Sequence, residues 1–209
     1  MDIVIEQITS NEDLTAMLEV WQQVFEREMG IVLPHEAASS HISHWLARLG
    51  QSGEPVGTLS VADTTGEHQL HDSLGLRFDP QTRVARFTHL AVLKPYRGRN
   101  IPLAMMLEAH QTMIVPGEFD YTWLLFDVEK AINSFLSRQL GFTLLPQTFV
   151  SEYGCRCPLV RNERTAQSQR FIRDARIHLE KCRPYALPQA SGAPYFVGTL
   201  TFSERRRIS

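Results

Sequence analysis

Apolar positions recur along this chain with two periods, and the switches between the periods outline its elements. "DIVIEQI", residues 2–8, alternates as a short strand does, and Ser10 stands where a helix cap is wanted. Leu14, Met17, Leu18, Trp21, Val24 and Phe25 then recur at helical spacing as far as Gly30, which predicts an amphipathic helix. After a loop containing Pro34, "HISHWLARL" and "EPVGTLSVADT" flank "GQSG", a Gly-containing connection that predicts a β-hairpin. Residues 65–82 show neither period and are expected to be irregular.

The second half alternates strand and helix. "RVARFTHLAVL" is a β-rich run, and Ile101–Met113 has helical composition. "YTWLLFDV" is another apolar strand, "EKAINSFLSRQL" another helix, and Gly141 a natural C-cap before "FTLLPQTFVSE". This alternation predicts neighbouring parallel strands. "YGCRC" is expected to turn the chain into a final strand through Leu159 and Val160, antiparallel to the one before. Residues 165–182 read as a helix and "PYFVGTLTF" as one further short strand.

Composition narrows the classes. A chain of 209 residues that is 43% hydrophobic builds one domain, or one with an appendage. No stretch approaches the roughly 20 apolar residues of a membrane span, and no leader pattern opens the sequence, so a cytoplasmic protein without membrane partners is expected. The net charge of −2 hides an asymmetry: residues 1–160 hold 11 Lys and Arg against 19 Asp and Glu, whereas residues 161–209 hold 10 against 4. That basic tail lacks the interleaved aromatics of a single-strand-binding surface, so nucleic acid is not expected. Cys155, Cys157 and Cys182 make an odd number, which argues against a disulfide framework. No metal is expected either. His41 and His44 lie on a predicted strand that sends them to opposite faces, and Cys155-Arg-Cys157 lacks a second ligand pair.

The chemistry concentrates in "LKPYRGRNIPLAMM", residues 93–106, where Lys94, Arg97, Gly98, Arg99 and Asn100 separate the strand from the helix. A turn entering a helix exposes N–H groups without intrahelical partners, and the helix dipole adds positive potential, so phosphate binds there readily. Gly98 lets the main chain approach an anion, and Asn100 tolerates a left-handed conformation or an N-cap position. Pro102 contributes no N–H. Taken alone the stretch also fits a helix that starts with proline and has loop cations facing water; the surrounding order of elements favours phosphate.

That order resembles the GNAT acyltransferases over about residues 1–160. The family pattern Gln/Arg-x-x-Gly-x-Gly/Ala falls on Arg97–Pro102: Arg97 matches, while Asn100 and Pro102 stand where the family has small residues. "SRQLGF" resembles the family's Leu-Gly-Phe signature after the last core helix. The resemblance implies an α/β fold, with a GNAT-like mixed central sheet flanked by helices in residues 1–160. Residues 161–209 would then be a basic helix-plus-strand extension packed on the same domain. It implies an N-acyltransferase that forms an amide by moving an acyl group from a phosphopantetheine thioester, on coenzyme A or an acyl carrier protein, to a small-molecule amine. "FEREMGI", "THLAVLKPYRGR" and "SEYGCRCPL" resemble the N-acyl amino acid synthases of this superfamily, which use acylated carrier proteins. The acyl-homoserine lactone synthases generally carry acidic and Arg residues along the central strand, where this chain has Arg86 and His89.

The resemblance also implies site roles. Leu90 and Val92 would offer main-chain groups to the donor, and Arg97, Gly98, Arg99, Asn100 and Ile101 would hold its phosphate. His89 is the candidate base, because its ordinary pKa lies near neutrality. Ser137 occupies the place, five residues before Phe142, where family members often carry a Tyr that protonates the leaving sulfur. The alternative is a noncatalytic GNAT-like module that binds acylated cofactor or carrier, and the missing Tyr favours it.

Overall fold

Ser10 opens the first helix as its side chain predicts: its extended backbone (φ −115°, ψ 157°) lets Oγ accept from the Asp13 N–H at 3.1 Å. The computed structural model describes residues 3–32, 41–50, 52–127, 135–151, 154–182 and 206–207. Strand β1 (Ile3–Gln7) leads into α1 (Asn11–Trp21), which continues as a π-helical segment, Gln22–Glu28. The hairpin of β2 (Ile42–Leu49) and β3 (Pro55–Asp63) follows, then α2 (His68–Ser73), β4 (Val84–Val92) and α3 (Ile101–Ala109), extended by a second π-helical segment, His110–Ile114. Strand β5 (Tyr121–Asp127), α4 (Phe135–Leu140), β6 (Thr143–Leu144), β7 (Phe149–Ser151), β8 (Gly154–Asn162), α5 (Ala166–Cys182) and β9 (Arg206–Arg207) complete the order.

Among the described residues nine strands form one mixed sheet in the order β1-β2-β3-β4-β5-β8-β7-β9, with β6 also on β8. Among the described residues β4 and β5 are the parallel pair that the strand–helix alternation predicts; the remaining pairs are antiparallel. The main core contains Ala85, Phe87, Leu90 and Val92 of β4, Ile101, Met105 and Met106 of α3, and Ile172 and Ala175 of α5. Helix α3 is buried almost all round, with only Ala104 and Glu108 half-exposed, because the sheet covers one side and α5 shields another. The opposite sheet face carries two smaller clusters, one under Trp21 and Phe25 and one around Leu70, Leu74 and Trp123.

One expectation needs correction. Residues 65–82 are not wholly irregular: α2 lies within them and seats Leu70 against Trp123, in a helix too short for periodicity to show. The strand expected at residues 194–202, Val128 at the end of the strand "YTWLLFDV", and residues 129–134 of the expected helix "EKAINSFLSRQL" lie outside the described residues. Among the described residues no helix is long and apolar enough to cross a membrane.

Candidate active site

Strand β4 changes its facing in the middle. Thr88 pairs with Ser60 and Ala91 with Thr58, so His89 and Leu90 together stand opposite Leu59, a β-bulge with one extra residue on β4. His89 takes a positive φ of 50° to accommodate it. The bulge shifts the side-chain parity, which is how Ala85 and Phe87 before it and Leu90 and Val92 after it all reach the same core. A buried relay pins the distortion. The Trp21 indole N–H donates to Thr58 Oγ1 at 3.0 Å, and the Thr58 hydroxyl donates to the His89 carbonyl at 3.2 Å.

Next to the bulge the sheet opens. The rungs between β4 and β5 run from Val84–Tyr121 through Ala85–Thr122 to Arg86–Trp123, while β5 continues against β8 as far as Asp127. The Leu93 N–H donates to the Val56 carbonyl at 2.9 Å on the β3 side. By strand alternation the main-chain groups of Val92 and Leu90 therefore point the other way, into the gap.

The phosphate-loop candidate closes the mouth of that gap. After a 3-10 turn at Lys94–Tyr96, Gly98 takes φ 78° and Asn100 a left-handed φ 57°, ψ 14°, immediately before α3. Asparagine is the ordinary residue that visits this region most readily. The Ala104 N–H donates to the Asn100 carbonyl at 2.9 Å, so the amides of Ile101 and Leu103 sit ahead of the helical ladder and Pro102 supplies none. Between loop and strand lies a cleft of ≈ 120 Å³. Leu90 and Val92 form its strand wall, Arg97, Gly98 and Asn100 its loop wall, and Pro102 and Leu103 its helix wall; Gln139 of α4 completes the lining.

No family model and no curated protein matches this sequence, but solved structures match its fold. FeeM, an N-acyl amino acid synthase from uncultured soil microbes, superposes with a TM-score of 0.62 at 14% identity, over 80% of this chain and 96% of FeeM. BjaI, a CoA-dependent acyl-homoserine lactone synthase solved with SAM and isopentyl-CoA, gives 0.62 at 14% over 91% and 97%. NAA60 of Arabidopsis thaliana, solved with acetyl-CoA, gives 0.60 at 16% over 77% and 98%. The chain has the GNAT acyltransferase fold.

On this GNAT frame the candidate residues divide. Leu90, Val92, Arg97, Gly98 and Asn100 meet at the cleft; Ile101 buries its side chain in the core and does not line it. Arg99 is half-buried, its guanidinium 5.7 Å from the Tyr96 ring centroid. Arg97 is only 6% exposed, with its guanidinium held by two named groups: Nε donates to the Val92 carbonyl at 2.9 Å, and NH1 and NH2 grip Glu28 at 2.5 and 2.6 Å. This pairing holds the Glu28 carboxyl below its ordinary range.

His89 does not border the cleft. Its ring packs against Trp21, centroids 4.4 Å apart, and burial, with Arg86 and His44 nearby, pulls its pKa from 6.5 down to about 3. An imidazole so depressed stays neutral at working pH and accepts a proton poorly. Ser137 is half-buried on α4 and does not border the cleft either. Gln139, two residues on and about 200° round the helix, does, and its Oε1 is buried without a hydrogen-bond partner among the described residues. Reading the sequence missed Gln139, Glu28, Trp21 and Thr58 as site residues. For Gln139 the signal was its place next to Leu-Gly-Phe; for the others no local pattern exists, because their partners are 31 to 69 residues away.

Proposed function

We propose that this chain is an N-acyltransferase that moves an acyl group from a phosphopantetheine thioester to the amine of a small molecule. The observation that carries this reading is the opening of β4 from β5 beside a pinned bulge, with a glycine-turned helix entrance at its mouth. An extended thioester-bearing arm fits such a gap. Its phosphate would meet the amides of Ile101 and Leu103, with Arg99 adding charge, and its carbonyl would meet the Leu90 N–H. The buried Gln139 Oε1 gives an amide N–H of the arm an acceptor it otherwise lacks.

In the reaction the amine nitrogen attacks the thioester carbonyl carbon, a C–N bond forms, the C–S bond breaks, and the electron pair leaves on sulfur. The amine loses its proton and the thiolate gains one, so amide and thiol result. Positioning supplies most of the rate in this scheme. His89 enters through its backbone, which holds the bulge, and through its stacking on Trp21; deprotonation of the acceptor falls to solvent. Log rate should then rise with pH toward the amine's own pKa, with no inflection near 6.5. An inflection there that disappears in His89→Gln would return the base role to His89.

Two donors suit this site. Isopentyl-CoA and acetyl-CoA accompany two of the similar structures, whereas the amide missing at Pro102 matters less for the single phosphodiester of a carrier-borne arm. We favour the carrier. Helix α5, which packs on α3 and α4, presents Arg170 and Arg173 to solvent, cations that would steer an acidic carrier toward this chain. The acceptor in this reading is a small amine such as an amino acid, the product class in FeeM's name. The test is turnover: acyl-CoA or acylated carrier, mixed with a panel of amino acids, should release thiol and give an amide by mass spectrometry. Donor binding without thiol release from any amine would support the noncatalytic binding module instead.

A further inference from the structure

Arg97 is the one loop cation that matches the family motif, and its surroundings are those of a brace. It is buried, and its two ends reach different parts of the fold. Nε donates to the Val92 carbonyl, a main-chain group in the gap between β4 and β5. NH1 and NH2 grip both carboxylate oxygens of Glu28, the last residue of the π-helical segment that extends α1. The Glu28 side chain is 29% exposed against 6% for Arg97, so the pair sits at the boundary of the core, where a bidentate charge-assisted contact holds firmly. The same segment carries Phe25, whose ring lies 6.5 Å from that of His89. One guanidinium thus ties together the helix over the bulge, the strand edge at the gap and the loop ahead of α3. The π-helical winding matters to this geometry, because it adds residues to the turn that brings Glu28 round to the loop.

We infer that Glu28 and Arg97 are positioning residues that hold the donor loop in its binding shape, and that Arg97 acts through the loop backbone rather than as a phosphate ligand. The inference rests on the donor-site reading above, and the two roles predict opposite signs for one substitution. If Arg97 were the ligand, Glu28→Gln would weaken its tether, free the guanidinium for phosphate, and leave donor affinity unchanged or improve it. As a brace, Glu28→Gln loosens Gly98–Ile101 and weakens donor binding, as Arg97→Ala does. Because both then remove one interaction, the double variant should be little worse than either single variant.

The experiment is calorimetric titration of coenzyme A, and in parallel of a phosphopantetheine-loaded carrier, into the wild type, Glu28→Gln, Arg97→Ala, Arg97→Lys and the double variant, with melting temperatures alongside. Wild type that binds neither coenzyme A nor a phosphopantetheine-loaded carrier sinks the donor-site reading itself, before any variant is compared. Given wild-type binding, the brace predicts a loss of about tenfold in both Glu28→Gln and Arg97→Ala, the scale of a charge-assisted contact. It predicts no rescue by Arg97→Lys, since an ammonium cannot reproduce the fork. In turnover, KM for the donor should rise while KM for the amine stays put. Unchanged or tighter binding in Glu28→Gln, or a double variant losing the product of the single losses, overturns the assignment. Should Glu28→Gln fail to fold, Glu28→Asp, which keeps the charge but shortens the reach, must weaken coenzyme A binding for the assignment to stand.

Discussion

Thr58 is fully buried between two groups that depend on it, the Trp21 indole N–H and the His89 carbonyl. Thr58→Val keeps the shape and removes both bonds, leaving a donor and an acceptor unsatisfied, so it should cost about 1–3 kcal/mol in denaturant unfolding. Thr58→Ser should recover most of this and restore turnover. A silent Thr58→Val would mean that the bulge is held by something else. The histidines give a pH signature. Burial draws His89 from 6.5 to about 3 and His71 to about 4, so below pH 6.5 the unfolded chain binds protons that the folded chain refuses. Their contribution is complete above pH 6.5 and is lost as pH falls toward those lower values. Each histidine adds a slope of up to about 1.4 kcal/mol per pH unit. Melting temperature should drop from pH 7 to pH 5, where the carboxylates are still largely ionised; a flat profile contradicts the buried placement. At this scale Asn100 was legible, since few residues suit a left-handed helix entrance. His89 was visible as a residue type but not as a bulge, because Leu90, Ala91 and Val92 after it are apolar on both faces and hide the shift in parity.

At the scale of elements the joint between α4 and α5 is the most exacting. Gly141 takes φ 69°, and a Cβ there would lie 2.4 Å from the Phe171 ring of α5. Gly141→Ala should therefore destabilise the fold by about 1–3 kcal/mol through overpacking alone. That is a fall in melting temperature of several degrees for a chain of this size, and Gln139 should move with α4. A melting temperature equal to that of the wild type would show that Phe171 yields freely. The Leu-Gly-Phe signature located this joint from sequence, as strand–helix alternation located β4, α3 and β5. Two features escaped. The π-helical segments at Gln22–Glu28 and His110–Ile114 keep near-helical apolar spacing, so nothing in the pattern separates them from α-helix. Ser137 comes from counting back from Phe142, and a count along the chain does not tell which helical face meets the gap.

For the whole molecule, the charge asymmetry read from composition takes a definite place. Arg170 and Arg173 stand exposed on α5 with Asp174 at 3.6 and 3.8 Å, on a helix whose other side enters the main core. If an acidic carrier brings the donor, reversing both charges should slow the carrier reaction at low salt and leave a free pantetheine thioester unaffected. Salt at 0.1 M, where fields reach only about 10 Å, should mimic the reversal. Equal rates for carrier-bound and free donors at all salt concentrations would leave coenzyme A as the donor. The central claim, that the donor lies in the gap between β4 and β5 with its phosphate on the loop before α3, is most directly tested by amide hydrogen exchange. The Leu90 and Val92 amides face the gap, and those of Ile101 and Leu103 precede the helical ladder. A saturating acyl thioester should slow exchange at these four amides and leave β1 and β2 unchanged; protection elsewhere, with these four exchanging as before, would contradict the account.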